Sequence, residues 1–232
     1  MNYHLHTWMK HIIWNGIVLK FKKIKIISTT KTINLKSRPS GKPDMNEFDV
    51  TTSEISELQE GEVLLNSKYV SVDPYLRGRM SDAPSYIPPF ELNKPIVSGI
   101  IAEVVESKNS NFSKGDHVSG MLEWKETQTA KGDGLLKVDP DKASLSAYLG
   151  ILGMTGLTAY LGLTEIGKPK KGETLLVSGA AGAVGSVVGQ IGKILGLRVV
   201  GIAGTDEKVE LLKSKFGFDE GINYNTTKNM SE

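Results

Sequence analysis

The feature that most constrains the fold is a glycine-rich turn between a strand pattern and a strongly periodic helix pattern. The turn, residues 178–185, reads SGAAGAVG and follows an apolar strand pattern at 174–178. The helix pattern after it places its apolar residues on one stripe, formed by Val184, Val187, Val188, Ile191, Ile194 and Leu195. A strand, a glycine turn and an amphipathic helix in this order predict the first βαβ unit of a doubly wound parallel sheet.

The residues after this unit continue the alternation. A second strand is predicted at 198–203, a helix at 206–216 that ends at Gly217, and a third strand at 220–224. Asp206 and Glu207 fall in the first turn of that helix, where the helix dipole favours acids. The C-terminal part is therefore predicted to be strand–helix–strand–helix–strand, which is half of a doubly wound sheet.

The N-terminal part has a different pattern, of short strands separated by turn residues. Strands are predicted at 62–72, at 97–107, after Gly115 and at 135–138, with a proline-rich loop at 83–95. A helical pattern at 145–166, interrupted at 153–156, marks the change near Ser144. The fold class is α/β with an all-β part, a small barrel followed by half of a doubly wound sheet.

The glycine turn aligns with the fingerprint A-x-G-x-x-G at Ala180, Gly182 and Gly185. Small residues let the backbone approach a pyrophosphate, and free N–H groups at a helix start hold the anion. The whole turn is the candidate site, namely Gly179, Ala180, Ala181, Gly182, Ala183, Val184 and Gly185. The sequence favours dinucleotide binding over the alternative that these glycines serve only helix–strand packing.

The end of the second strand decides which dinucleotide fits. An acid there would bind the ribose 2′-hydroxyl of NAD, but the position is Gly204, and Lys208 follows one helical turn later. This favours the 2′-phosphate of NADP(H), to which one charge-assisted hydrogen bond contributes about 1.5–3 kcal/mol. Asp206 and Glu207 favour NAD instead, unless their side chains point to solvent. The alternative for Lys208 is that it is an ordinary solvated surface lysine.

Composition excludes several classes of protein. The chain has 232 residues, no Cys and a net charge of +2, so thiol nucleophiles and thiolate metal sites are excluded and nucleic acid is not expected. His117 is the one His outside residues 1–27, which also carry five Lys and no acid. That segment is too interrupted by Lys for a membrane span. We interpret it as an extension outside the fold, with a basic membrane-surface element as the alternative.

Three segments together resemble one family. They read VSVDPYLRGRM at 70–80, GMTGLTAY at 153–160, and the glycine turn with GIAGTDEK at 201–208. The chain resembles, over about residues 28–228, the zinc-independent medium-chain dehydrogenase/reductases. Within them it resembles the branch of the leukotriene B4 12-hydroxydehydrogenases, prostaglandin reductases and 2-alkenal reductases. The first motif is specific to that branch.

The resemblance implies a GroES-like barrel at 28–143, a partial Rossmann NADP(H)-binding domain at 144–232, and a non-family leader at 1–27. It implies reduction by NADPH of the C=C bond of α,β-unsaturated ketones and aldehydes, without a metal. By position it implies cofactor contacts at the glycine turn, Gly204 and Lys208, and also at Pro74, Tyr75 and Tyr224. Tyr75 is also the candidate catalytic donor, and 153–156 would lie near the nicotinamide. The alternatives are purely structural roles, with Tyr75 as an aromatic residue of the barrel and Tyr224 as an aromatic residue at the end of a strand.

The chain ends after the third predicted Rossmann strand, so the resemblance also predicts a C-terminally truncated member. The expected partners are a small enone or alkenal, with no nucleic acid and no membrane, in the cytoplasm. The family implies a homodimer or monomer, whose dimer interface would fall in the missing half. Alternatives are an NADPH:quinone reductase of the same superfamily and an inactive nucleotide-binding fragment. Arg77 and Arg79 are predicted to be structural ion-pair partners without a catalytic role.

Overall fold

The computed structural model describes residues 29–227. The leader predicted at 1–27 therefore lies outside the described residues. Within 29–227, no helix combines the length and apolar character that crossing a bilayer requires.

The N-terminal part consists of two antiparallel sheets, a 3₁₀ helix (Met45–Glu47) and one short α-helix. Its elements are β1 (Thr29–Leu35), β2 (Phe48–Glu54), β3 (Glu62–Val70), α1 (Pro74–Arg79), β4 (Lys94–Pro95), β5 (Val97–Ser107), β6 (His117–Glu123), β7 (Thr127–Lys131) and β8 (Leu136–Val138). The strand order is β2-β1-β4 in one sheet and β7-β3-β5-β6-β8 in the other. A bridge between Thr32 and Lys125 joins the two sheets.

Inward-facing β-branched and aliphatic residues hold the larger sheet together. Val63 and Leu65 of β3, Ile100 and Val104 of β5 and Val118 of β6 are all fully buried in one cluster. Because side chains alternate along a strand, these positions share one face of the sheet. The prediction of several short strands around a small core is confirmed.

The C-terminal part contains a parallel sheet together with its connecting helices. Its elements are a 3₁₀ helix (Leu145–Leu149), α2 (Met154–Leu161), a π-helical turn (Gly162–Gly167), β9 (Thr174–Val177), α3 (Gly185–Ile194), β10 (Arg198–Ala203), α4 (Asp206–Ser214) and β11 (Glu220–Asn223). The three strands pair in parallel in the order β11-β10-β9. The predicted strand–helix–strand–helix–strand alternation is confirmed, and within the described chain β9 pairs only with β10.

Several boundaries differ from the prediction. The strand predicted at 62–72 ends at Val70, and Pro74 begins a helix, as expected of a residue with a fixed φ and no N–H. The helical pattern predicted at 145–166 is a 3₁₀ helix, a break and then α2 with its π-helical extension, and the break lies at 150–153 rather than at the predicted 153–156. After the break, Gly156 of α2 packs directly on the chain of the break, because a Cβ there would lie 1.7 Å from the Ile151 carbonyl oxygen.

The apolar stripe predicted for α3 is only partly buried. Ile194 is 83% exposed, whereas Gly185, Gly189 and Gly192 are buried. The helix therefore meets the sheet through its glycines, with Phe218 packed against Gly189. The periodicity of the sequence predicted the helix correctly, but it did not predict that glycines, rather than the apolar stripe, make the closest contact with the sheet.

Candidate cofactor and substrate site

The glycine turn connects β9 to α3 in a tight, closed conformation. Gly179 has φ +55°, a left-handed conformation that favours glycine. A Cβ on Gly182 would lie 3.1 Å from the Gly179 carbonyl oxygen, and one on Gly185 would lie 2.5 Å from the same atom. The turn therefore requires glycine at Gly185 and favours it at Gly179 and Gly182, because the backbone folds directly onto itself.

The same turn leaves backbone donors free. Gly182 N–H donates to the Gly179 carbonyl and Ala180 N–H to the Ile202 carbonyl. Among residues 29–227, the N–H groups of Ala181, Ala183 and Val184 have no hydrogen-bond partner. Unpaired donors at the start of a helix form a binding site for an anion. The turn therefore fits a pyrophosphate, the group that the sequence predicts for it.

Gly204, Lys208 and Tyr224 lie at the same edge of the sheet as the turn, because parallel strands place their carboxyl ends together. A Cβ on Gly204 would lie 2.8 Å from the Tyr224 hydroxyl, so the tyrosine covers the position where NAD-binding folds carry an acid. Lys208 lies in the first turn of α4, and its backbone N–H donates to the N-cap hydroxyl of Thr205. Its ammonium group has no salt-bridge partner in the described chain.

A cavity of about 270 Å³ opens beside the barrel, and mainly apolar side chains line it. It contains Tyr75 of α1, together with Gly153 and Met154 at the start of α2, as the resemblance implied for the nicotinamide end. Met121 of β6 and Leu136 of β8 line it from the barrel. The ring of Tyr75 also packs against the core cluster that contains Leu76 and Phe90, which agrees with the alternative of a barrel aromatic. Its role in a cofactor or substrate site stays a prediction.

The surroundings of Tyr75 favour the neutral form of its hydroxyl. Partial burial raises the pKa of this phenol above its ordinary value, and the negative charge of Asp73 raises it further. Ser71 donates a hydrogen bond of 2.6 Å to that Asp73 carboxylate, which fixes its position. A neutral phenol can donate a hydrogen bond to a carbonyl oxygen in the cavity.

The structure brings the predicted residues into two groups. Tyr75 and Met154 share the cavity, and the glycine turn, Gly204, Lys208 and Tyr224 share the sheet edge. None of the turn residues lines the cavity. Helix α2 connects the groups, since it begins at the cavity and packs against α3. Pro74 is exposed and does not line the cavity; its visible role is to begin α1.

Arg77 and Arg79 make structural contacts, but the predicted ion pairs are not formed within the described residues, since both side chains bind backbone carbonyls instead. Arg77 donates to the carbonyls of Pro39 and Gly41. Arg79 donates to the carbonyl of Pro88, and its guanidinium lies 4.0 Å from the centre of the Phe90 ring. The two side chains thus fasten α1, and Tyr75 with it, to two loops.

Sequence reasoning missed two features of the site. Tyr148, which lines the cavity, has its hydroxyl bonded to the Asp139 carbonyl at 2.8 Å. Asn223 bonds Asp206 beside the predicted 2′-phosphate position. No motif marks either residue. Within 29–227, no group of three His, Asp or Glu side chains is placed to hold a metal ion.

A parallel sheet with a glycine turn at its carboxyl edge, preceded by an antiparallel barrel, defines a class of dinucleotide-dependent oxidoreductases. Residues 31–138 match the family described as the N-terminal domain of oxidoreductase.

Curated relatives match this chain in sequence over most of its length. The chain is 46% identical over 205 residues to prostaglandin reductase 1 of Mus musculus, covering 87% of this chain and 60% of the relative. It is 44% identical over 213 residues to the NADP(+)-dependent 2-alkenal reductase of Nicotiana tabacum, covering 88% and 61%. The crystal structure of CurA from Vibrio vulnificus in complex with NADPH superposes with a TM-score of 0.80 at 44% identity, covering 85% and 58%.

The chain belongs to the zinc-independent medium-chain dehydrogenase/reductases, in the branch of the prostaglandin and 2-alkenal reductases. The expected GroES-like barrel followed by a partial Rossmann fold is confirmed, and NADP(H) is the cofactor of this family. The chain spans about three-fifths of the length of these relatives.

Proposed function

We propose that this chain forms the substrate-side barrel and the first half of the cofactor domain of an NADPH-dependent reductase. Its substrates are α,β-unsaturated ketones and aldehydes, whose C=C bond is reduced. The observation that carries the proposal is a mainly apolar cavity that contains one neutral phenol donor, Tyr75. The relatives of this chain that depend on NADP support it. The domain division proposed is 28–143 and 144–232.

The residues proposed to hold the cofactor are those of the glycine turn, with Gly204, Lys208 and Tyr224 at the adenosine end. The unpaired N–H groups of Ala181, Ala183 and Val184 bind the pyrophosphate. The Lys208 ammonium binds the 2′-phosphate, and the Tyr224 ring, which is 54% exposed, offers a face to the adenine. When bound, NADPH supplies the hydride that the β-carbon of the substrate accepts.

The protein's part in the reaction is orientation and charge stabilisation. The apolar wall of Met121, Leu136 and Met154 binds the hydrocarbon part of the enone. The Tyr75 hydroxyl donates to the carbonyl oxygen, where negative charge develops as the β-carbon is reduced. The α-carbon then takes a proton from solvent, so the product is the saturated carbonyl compound.

The first test measures cofactor oxidation at 340 nm by the 232-residue chain, with a 2-alkenal and with a quinone as substrates. We expect the alkenal to be reduced faster than the quinone. A faster quinone would favour the quinone reductase alternative. Nucleotide binding without turnover of any enone would favour the inactive fragment.

The second test replaces the phenol donor. Tyr75→Phe keeps the ring in the core but removes the hydroxyl, and we expect kcat for the alkenal to fall about 10²-fold, the usual effect of losing one donor to a developing oxyanion. The Kd for NADPH should change much less than kcat, because the glycine turn and Lys208 would still hold the rest of the cofactor. Tyr86→Phe, at a 92% exposed tyrosine, is the matched control. An unchanged kcat for Tyr75→Phe would contradict the role assigned to it.

A further inference from the structure

The first turn of α4 carries two acids beside the proposed 2′-phosphate position. Asp206 and Glu207 follow Gly204 and Thr205 directly, and Lys208 comes next. Two free carboxylates here would repel a phosphate and cancel the attraction of a single ammonium group. A site that selects NADP(H) must therefore keep these acids engaged elsewhere.

Both carboxylates have partners. Asn223 donates from Nδ2 to Oδ1 of Asp206 at 2.6 Å. The Glu207 carboxylate accepts from its own backbone N–H and from the Thr205 hydroxyl, which lowers its pKa. Lys208 is thus the one charged side chain of this turn without a hydrogen-bond or ion-pair partner among residues 29–227.

The side chain of Asn223 is itself held in place. It is the last residue of β11 and lies opposite Ala203 of β10 in the parallel register. Its Oδ1 accepts a hydrogen bond of 3.0 Å from the backbone N–H of Asn225, so its amide nitrogen is the atom left to face Asp206. The next residue, Tyr224, covers Gly204.

We propose that Asn223 is a specificity-determining residue, which favours NADP(H) over NAD(H) by holding the Asp206 carboxylate on the β11 side of the site. It is a positioning residue, because it acts through Asp206 and touches no reacting atom. This inference rests on the proposed function, in which Lys208 binds the 2′-phosphate.

The test is the Kd of the 232-residue chain for NADPH and for NADH, measured by calorimetry. Asn223→Ala releases Asp206, and we expect the Kd for NADPH to rise about fivefold, the effect of one unit charge about 4 Å from another in a water-like medium. The Kd for NADH, which lacks the phosphate, should stay within about twofold by the same reasoning. The effect should shrink at high salt.

A double-mutant cycle separates positioning from general support of the fold. In an Asp206→Asn background there is no carboxylate to hold, so adding Asn223→Ala should leave the NADPH-to-NADH ratio unchanged. Asn111→Ala, at an exposed asparagine of the barrel, is the control and should change neither Kd.

Two results would overturn the proposal in distinguishable ways. Equal losses for NADPH and NADH in Asn223→Ala, persisting in the Asp206→Asn background, would show a structural role only and would leave the proposed function intact. A folded wild-type chain that binds neither nucleotide would overturn this proposal and the proposed function together.

Discussion

Replacement of Gly189 by alanine tests how α3 is seated on the sheet. A Cβ at this position would lie 2.0 Å and 2.2 Å from two atoms of the Phe218 ring. Phe218 is only 4% exposed and belongs to the core cluster that contains Val199 and Leu212. The ring therefore has no open space into which it can withdraw.

The size of the effect follows from two opposing contributions. The ring would have to retreat by more than about 1 Å to reach ordinary carbon–carbon contact. Overpacking of a core costs about 1–3 kcal/mol, and a shift of this size belongs at the upper end. Alanine is favoured over glycine inside a helix by about 1 kcal/mol. We expect the free energy of unfolding to fall by about 2 kcal/mol, or Tm by about 4–8 °C.

The assay is urea and thermal unfolding followed by circular dichroism, with Gly162→Ala as the matched control. Gly162 is exposed, has φ −59°, and a Cβ there would meet no atom within 4 Å. That variant should be more stable than the wild type by about 0.4–1 kcal/mol. Adding Phe218→Leu to Gly189→Ala should cost less than the sum of the two single changes. A Gly189→Ala chain as stable as the wild type would refute the packing described for α3.

Two further changes test the charges of the cofactor domain. Lys208→Ala should weaken NADPH binding by about 10- to 150-fold, the loss of one charge-assisted hydrogen bond, and leave NADH binding unchanged. Lys215→Ala, just beyond α4, is its control, and equal losses with both nucleotides would contradict the assignment. Asp219 has its pKa lowered by hydrogen bonds from Lys193 and from Val199 N–H, so its carboxylate stabilises the fold above its ordinary pKa of about 4 and loses this effect as pH falls from there through the lowered pKa of the folded state. Between pH 5 and pH 3, the urea midpoint of the Asp219→Asn variant should therefore fall less than that of the wild type. Equal falls in the two proteins would contradict this role of Asp219.

The repeating elements of the fold could be predicted because their signals are local. Period-two and period-3.6 patterns found β5 and β10 with their observed bounds, and located β9, α3 and α4 to within a few residues. Strands β1, β2, β4 and β7 were not predicted, and β4 lies in the segment predicted to be a proline-rich loop. β2 is almost wholly exposed, so it lacks the buried apolar face that a pattern can detect.

The candidate site divides in the same way. The glycine turn, Gly204 and Lys208 were predictable, since a steric requirement for a small residue and an absent acid are visible in sequence. The arrangement of Tyr75 was known only through the family motif. The sequence did not show that Arg77 binds carbonyls, because a guanidinium suits a carboxylate and a carbonyl oxygen equally well.

The sequence by itself determined the order of the elements, the position of the glycine turn between a strand and a helix, and the absence of thiolate chemistry. Only the tertiary structure decided which groups remain free to act. Asn223 meets Asp206 because the register of β11 on β10 brings together residues 17 positions apart in the chain. The cavity exists because strands of the barrel and the start of α2 converge on it. Both depend on contacts between distant segments, which no local pattern of residues encodes.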